Sequence, residues 1–301
     1  MFKASLVSII VVNFNGENFI CDCIDSILKT DYPKYEIIII ENSSTDRSLQ
    51  LLRKKYSKNK KIRIKISDQN LYFTGGSNLG AKYANGKYLV FINSDTTVST
   101  KWLTKLVSLT TGKHKVLIQP KIYVHGSKKI IDSVGGKYLF NGFGIGIGRM
   151  KDVGQYGQNM KVDYVNGTCF MMERKFFNEL GGFDDWYRYH YEDVDLCLRA
   201  KKNGGFCFFC HDSIIYHKVS LTFKKNVDST TFKFNVRKNC IQTVFKNFSG
   251  LNRAFRLTSL LGIYFIWSLK DILYLNTTNL SITIKAIIAV YRHNYSLGKR
   301  F

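Results

Sequence analysis

Several common organising devices are missing from this 301-residue chain. Its seven cysteines are an odd number, which argues against a disulfide framework in a chain of this length. Cys207-Phe-Phe-Cys210 has the spacing of a metal knuckle, but no second pair completes four ligands. Both cysteines lie in an apolar run and read as buried strand residues in a reducing cytosol. The glycine-rich stretch Thr74-Gly-Gly-Ser-Asn-Leu-Gly80 is neither a dinucleotide fingerprint nor a P-loop. Met1 to Val12 looks superficially like a signal peptide, yet its apolar part is short and runs into Asn13-Phe-Asn-Gly16 without a small-residue cleavage site. No apolar run reaches the roughly 20 residues that a bilayer span needs. Acidic residues are scarce, 22 against 45 Lys and Arg, for a net charge of +23. That imbalance predicts anionic partners: nucleic acid, an anionic membrane surface or phosphorylated small molecules.

What is present points to a globular protein. Apolar residues make up 45% and aromatics 14% of the chain, enough for a large core. Leu6–Val12, Tyr35–Glu41, Ile62–Ser67 and Tyr88–Ile92 read as strands, the third half-exposed and the others apolar enough to be buried on both faces. Between them, 19–29 and 47–56 carry helical patterning, and 81–84 a short helix. Strands alternating with helices over about a hundred residues imply βαβ units and a parallel sheet. Trp102–Leu109 then reads as a helix, and Val116–Val124 as a strand broken by Pro120. The span 135–157 is glycine-dense and reads as a long excursion over a site. Val162–Met172 reads as one strand with Asn166-Gly-Thr168 in its middle, and 174–180 as a short helix closed by Gly181-Gly182. Phe206–Phe209 and Ser213–Tyr216 read as a strand pair ending at His217.

Two clusters carry the chemistry. The strand at 88–92 breaks into Asn93-Ser94-Asp95-Thr96, which places a carboxylate beyond the strand's carboxyl end, where open α/β sheets bind ligands. Asp95 is a hard oxygen ligand suited to Mg²⁺ or Mn²⁺, and through either ion to a diphosphate. His217 ends a strand expected in the same sheet and is a second candidate ligand. Further on, Glu192, Asp193 and Asp195 open a helix after an aromatic loop. The helix dipole stabilises acids there, but three together exceed what capping needs, and like charges raise one pKa towards general-base range.

Taken jointly and in order, these segments resemble family-2 glycosyltransferases of the GT-A fold, in pattern the rhamnosyltransferase-like members. The matching segments are Val7–Gly16, Glu41-Asn-Ser-Ser-Thr-Asp46, Asn70–Gly80, Asn93-Ser-Asp-Thr96, Gly181-Gly-Phe-Asp184, Glu192-Asp-Val-Asp-Leu196 and Tyr216-His217. They cover about residues 5 to 250. The resemblance implies an α/β GT-A fold with a Rossmann-like, mostly parallel sheet in 1–249; beyond it the composition shifts and reads as a C-terminal helical extension in 250–301. It implies an inverting transfer from a UDP- or dTDP-sugar to a glycan or lipid-linked saccharide. Asp95 and His217 would hold Mg²⁺ or Mn²⁺; Asn13, Glu41, Ser43, Asn78, Asn93 and Ser94 would serve the nucleotide. Asp193 would be the base, with Glu192 orienting the acceptor and Gly167 and Trp186 bordering it. An inverting displacement needs no covalent nucleophile, and none stands out. Two positions depart from the pattern: Glu41 where Asp is usual, and Tyr72 where Gly is usual, which would crowd the donor pocket.

The tail is apolar and aromatic at 257–275 and 282–291, interrupted by Lys270 and Asp271 and ending in Arg292, His293, Lys299 and Arg300. It reads as helices lying on an anionic membrane at its cytoplasmic face, with packing against the catalytic domain or a homodimer partner as the competing expectation. Nucleic acid is not expected as a partner. A basic nucleic-acid-binding protein and a nucleotidyltransferase acting on sugar phosphates are the alternatives.

Overall fold

The computed structural model describes residues 4–127, 129–148, 153–218, 228–273 and 278–298. The strands are β1 (Val7–Asn13), β2 (Tyr35–Glu41), β3 (Ile62–Ile66), β4 (Tyr88–Asn93), β5 (Thr96–Val98), β6 (Val116–Val124), β7 (Ile131–Ser133), β8 (Gly136–Tyr138), β9 (Gly144–Gly146), β10 (Met160–Val162), β11 (Cys169–Glu173) and β12 (Phe206–His217). The helices are α1 (Ile20–Leu28), α2 (Ser48–Tyr56), α3 (Tyr72–Tyr83), α4 (Trp102–Ser108), α5 (Arg174–Glu179), α6 (Glu192–Lys202), α7 (Ser229–Asn247), α8 (Gly250–Leu273) and α9 (Thr278–Gly298). The central sheet runs β10-β12-β6-β11-β4-β1-β2-β3, with β5 and β7 attached to β12 and β6. β3, β2, β1 and β4 are mutually parallel, β11 is antiparallel to β4, and β6 and β12 are parallel to each other. The expected Rossmann-like, mostly parallel sheet is present.

Alternation along the central strands explains why they read as continuous apolar runs. Ile9, Val11, Ile37, Ile39, Val90 and Ile92 face one core, under α1, α2 and α4. Ile10, Ile38, Ile40, Leu89 and Phe91 face the other, with residues of α3, α5 and α6. Two buried faces leave no polar position to interrupt the pattern.

Four local expectations are corrected. The glycine-rich stretch is helical, so α3 begins at Tyr72 instead of Ala81. Its glycines let the helix lie against the sheet: a Cβ at Gly76 would meet Val12 at 2.8 Å, and one at Gly80 would meet Ile10 at 2.4 Å. Pro120 does not break β6; the irregularity falls on the partner, between Cys210 and Ile214, opposite the residue without an N–H. The expected strand pair is therefore the single bulged strand β12. The expected strand 162–172 is β10 and β11 joined by a loop, and Gly167 lies in that loop. Of the excursion 135–157, the described part forms the hairpin β8–β9; residues 149–152 lie outside the described residues, as do Lys299 and Arg300.

A third core joins the last three helices. Cys240, Ile241 and Val244 of α7 pack with Leu260 and Tyr264 of α8 and with Ala286 and Val290 of α9. Phe143, Trp186 and Tyr191 are packed against it. α7 thus shares its core with helices on the far side of the expected 249/250 boundary.

Candidate active site

The carboxyl ends of β1, β2 and β4 form one rim. Asn13, closing β1, donates from Nδ2 to Glu41 Oε2 at 2.6 Å and to Ser48 Oγ at 3.0 Å. Glu41 Oε1 accepts the Ser44 N–H at 2.9 Å. Both side chains are fully buried, so the pair ties the turn after β1 to the turn after β2. Ser43 lies between them with left-handed backbone, φ 63°. Two residues not singled out from the sequence complete the brace: Asn42 donates to Asn70 Oδ1 and the Tyr72 carbonyl and accepts the Leu71 N–H. Both stand inside segments whose pattern was recognised, which was the available signal.

Beyond β4, the turn is held by Thr96, whose hydroxyl donates to the Asn93 carbonyl at 2.7 Å; Ser94 is buried. β5 then pairs with β12, setting His217 opposite Thr96. His217 Nε2 consequently sits 3.3 Å from Asp95 Oδ1. Its Nδ1 is 2.8 Å from Asp132 Oδ2, a partner the sequence did not reveal. Burial alone would lower the His217 pKa, but the hydrogen bonds and charges of Asp132 and Asp95 outweigh it and push it up to about 9. Among the described residues, no group of three or more His, Cys, Asp or Glu could hold a metal unaided. Asp95 with His217 still fits a divalent cation that shares its shell with a diphosphate, because such ions take few protein ligands beside phosphate oxygens. A carboxylate on the far nitrogen of a ligating histidine is the usual supporting partner.

The second cluster opens α6. Asp193 Oδ2 accepts the Gly167 N–H at 2.8 Å, and Oδ1 accepts the Val194 N–H at 2.8 Å. Glu192 Oε2 is buried with no hydrogen-bond partner among the described residues. Burial raises both carboxyl pKa values; the charge of Asp193 adds to the effect on Glu192, and backbone hydrogen bonds restrain it on Asp193. Gly167 faces this pair so closely that a Cβ there would lie 2.9 Å from Glu192 Oε1. The third acid separates from the other two. Asp195 is buried against Arg199 Nε (2.8 Å), Asn247 Nδ2 (2.8 Å) and Lys246 Nζ (3.2 Å), a structural network.

Two expected site residues are committed elsewhere. Asn78 donates to the Phe183 carbonyl and to Asp185, and accepts the Phe183 N–H. Its amide is thereby occupied in clamping the 183–185 loop. Trp186 lies between the Lys238 ammonium, 4.0 Å from its ring centre, and His293, stacked at 4.4 Å; it faces the C-terminal helices. Tyr72 adopts φ 56°, a conformation that glycine takes without strain, and its ring lies under the Arg188 guanidinium. Seven described non-glycine residues are left-handed: Asn15 and Ser43 in the turns after β1 and β2, Tyr72 at the start of α3, Arg188, His190 and Tyr191 in the segment leading into Glu192, and Lys115 before β6. Each costs on the order of 1–3 kcal/mol and marks a backbone held by its surroundings.

Comparison with known proteins agrees with this geometry. A low-salt glycan biosynthesis hexosyltransferase, Agl10 of Haloferax volcanii, is 23% identical over 66% of this chain and 62% of its own length. The poly(ribitol-phosphate) beta-N-acetylglucosaminyltransferase TarS of Staphylococcus aureus is 27% identical over 38% of this chain and 20% of its own. The chain spans 33%, 50% and 62% of the first three curated relatives. Among solved structures, S. aureus TarS 1-349 in complex with UDP-GlcNAc superposes with TM-score 0.64 at 16% identity, covering 95% of this chain and 80% of that one. GalNAc-T7 with UDP, GalNAc and Mn²⁺ gives TM-score 0.67 at 19% identity, covering 81% and 48%. The fold is thus that of the GT-A transferases. A family model described as "Glycosyl transferase family 2" matches residues 8–181, more than half of the chain, and the chain belongs to that family.

Proposed function

We propose that the chain is an inverting glycosyltransferase that moves a sugar from a UDP- or dTDP-sugar to a glycan or lipid-linked saccharide in cell-surface glycan synthesis. The observation that carries this reading is the meeting of Asp95 and His217 on the rim that also bears Glu192 and Asp193. Asp95 and His217 would hold Mg²⁺ or Mn²⁺, whose charge neutralises the departing diphosphate. Asp193, fixed by two backbone N–H groups, takes the proton of the acceptor hydroxyl as its oxygen bonds to the anomeric carbon and the diphosphate leaves. Glu192, kept protonated by burial and by its neighbour, donates a hydrogen bond that orients the acceptor. The Asn13–Glu41 brace shapes the nucleotide end, with Ser43, Asn93 and Ser94 along it. Relatives named for glycan, poly(ribitol-phosphate) and hyaluronan synthesis support the acceptor class.

Peripheral attachment at the cytoplasmic membrane face belongs to the same proposal. No described helix is long and apolar enough to cross a membrane. α8 exposes Phe255, Phe265, Ile266, Trp267 and Leu269, and α9 exposes Ile284, Ile287, Ile288, Tyr291 and Tyr295. Such surfaces, on a chain of charge +23, suit an anionic interface.

Calorimetric titration with nucleoside diphosphates and nucleotide sugars, with Mn²⁺, Mg²⁺ or EDTA, tests the donor site. Metal-dependent binding of one nucleotide, lost in Asp95→Asn, is the expected result. No binding across the panel by the folded protein would sink the reading.

A further inference from the structure

α7 buries a polar stripe. Asn235, Asn239, Thr243 and Asn247 recur every four residues, so they stand one above another on one helix face, and all four are buried. A surface helix normally turns its apolar stripe inward. Here the polar stripe faces the segment that leads into the carboxyl pair. Asn235 donates to Tyr189 Oη at 3.0 Å, Thr243 to Tyr187 Oη at 3.1 Å, and Asn247 to Asp195 at 2.8 Å. The central rung does most: Asn239 Nδ2 lies 2.9, 2.8 and 2.8 Å from the carbonyl oxygens of Tyr187, Tyr189 and His190. The carbonyl between them, of Arg188, accepts from Phe73 and Thr74 N–H at the start of α3. Four consecutive carbonyls are thus collected from two sides.

This segment would not hold its shape alone. Arg188, His190 and Tyr191 are all left-handed without being glycine, and Glu192 and Asp193 follow directly. A backbone of that kind persists only where its surroundings over-determine it. Among the described residues Asn239 Oδ1 is itself buried without a partner, so the side chain's bonding there lies in its N–H donors to the loop.

We infer that Asn239 is a positioning residue: by collecting the 187–190 carbonyls it holds the left-handed loop that sets Glu192 and Asp193 against Gly167, which makes α7 a working part of the acceptor side of the site. The inference rests on the glycosyltransferase reading, and its test separates the two.

The test compares Asn239→Ala with Leu260→Ala, which removes an apolar side chain from the same helical core but none of the hydrogen bonds to the loop. Amide exchange of the peptide spanning 187–197, followed by mass spectrometry, needs no substrate. Asn239→Ala should raise exchange there at least tenfold, with the β1, β2 and β4 peptides unchanged, while Leu260→Ala leaves 187–197 near wild type. Release of the nucleoside diphosphate from UDP-N-acetylglucosamine and other UDP- and dTDP-sugars, with water as acceptor, gives the second readout. Asn239→Ala should lower kcat at least tenfold with donor KM within twofold of wild type, and Leu260→Ala should change neither. Wild-type protection of 187–197 in Asn239→Ala, or equal loss of protection in Leu260→Ala, overturns the inference. Wild-type kcat in Asn239→Ala also overturns it. A wild-type protein that releases nucleotide from no donor tells against the glycosyltransferase reading instead, and the exchange result still decides the role of Asn239.

Discussion

Asp132 Oδ2 accepts a hydrogen bond from His217 Nδ1 at 2.8 Å, while Nε2 of the same ring lies 3.3 Å from Asp95 Oδ1. A carboxylate can only accept, so Nδ1 carries a proton towards Asp132; with the pKa pushed up to about 9, Nε2 carries one towards Asp95 at neutral pH and would give it up on ligating a metal. Asp132→Ala frees the ring to rotate or change tautomer. Mn²⁺ titrated into the nucleotide-saturated protein should bind about 10–100-fold more weakly in that variant, the usual loss when the partner of a ligating histidine is removed. An unchanged isotherm would mean that packing alone orients His217.

Gly167 makes a second, steric prediction. A methyl group there would stand 2.9 Å from Glu192 Oε1 and 3.5 Å from Asp193 Oδ2, so the carboxyl pair or the loop must shift. Gly167→Ala should lower turnover by about 100-fold, the scale of a misplacement near 1 Å. Nucleotide binding, proposed to use the Asn13–Glu41 side of the rim, should stay within a few-fold. Matched losses in both would place the disturbance in the fold as a whole.

The legible part of the molecule is the part whose physics is local. β1, β2 and β4 are buried on both faces and leave unbroken apolar runs; Asp95 sits just past the end of one, and Glu192–Asp193 open a helix. α3 was misread because its glycines look like a loop when listed and act as a smooth packing face once Val12 and Ile10 lie beneath them. α7 gave no signal because its buried stripe is polar, which periodicity counts as surface. Asp132 and Asn239 act on residues far along the chain, and Asn78 belongs to a recognised segment yet spends its amide on a loop that only the fold brings near. Asp195 shows the converse: nearness to Asp193 in the sequence suggests a shared role, and two further residues of helical rotation send it to Arg199 and Lys246.

The carboxyl pair predicts opposed pH trends. Glu192 and Asp193 titrate above their ordinary range in the folded protein, so turnover that needs an ionised base should fall on acidification with a midpoint above the roughly 4 of free carboxylates. The folded state then binds more protons than the unfolded chain between the two pKa values. Stability contributed by this pair is therefore greatest below that window and declines as pH rises through it. Glu192→Gln removes a buried ionisable group with an unpartnered oxygen. It should stabilise the protein at neutral pH, flatten the decline and reduce turnover. A variant less stable than wild type at neutral pH, with the decline intact, would assign the pH dependence to other groups.

Asp195 separates stability from chemistry within the same helix turn. Its carboxylate is wholly buried and shared among Arg199, Lys246 and Asn247. Asp195→Ala leaves the Arg199 guanidinium, itself mostly buried, without its anion. Breaking one partner out of a buried pair costs about 3–5 kcal/mol, which for a chain of this size lowers Tm by roughly 6–20 °C. Lys246 retains Asp184 at 2.7 Å, which sets the lower end of that range as the expected value. Donor binding per folded molecule should not change, because none of these partners lies on the β1, β2 or β4 rim. A thermal melt followed by calorimetry well below the lowered Tm checks both halves. Lost nucleotide affinity in protein that is still folded would return Asp195 to the site alongside its two neighbours.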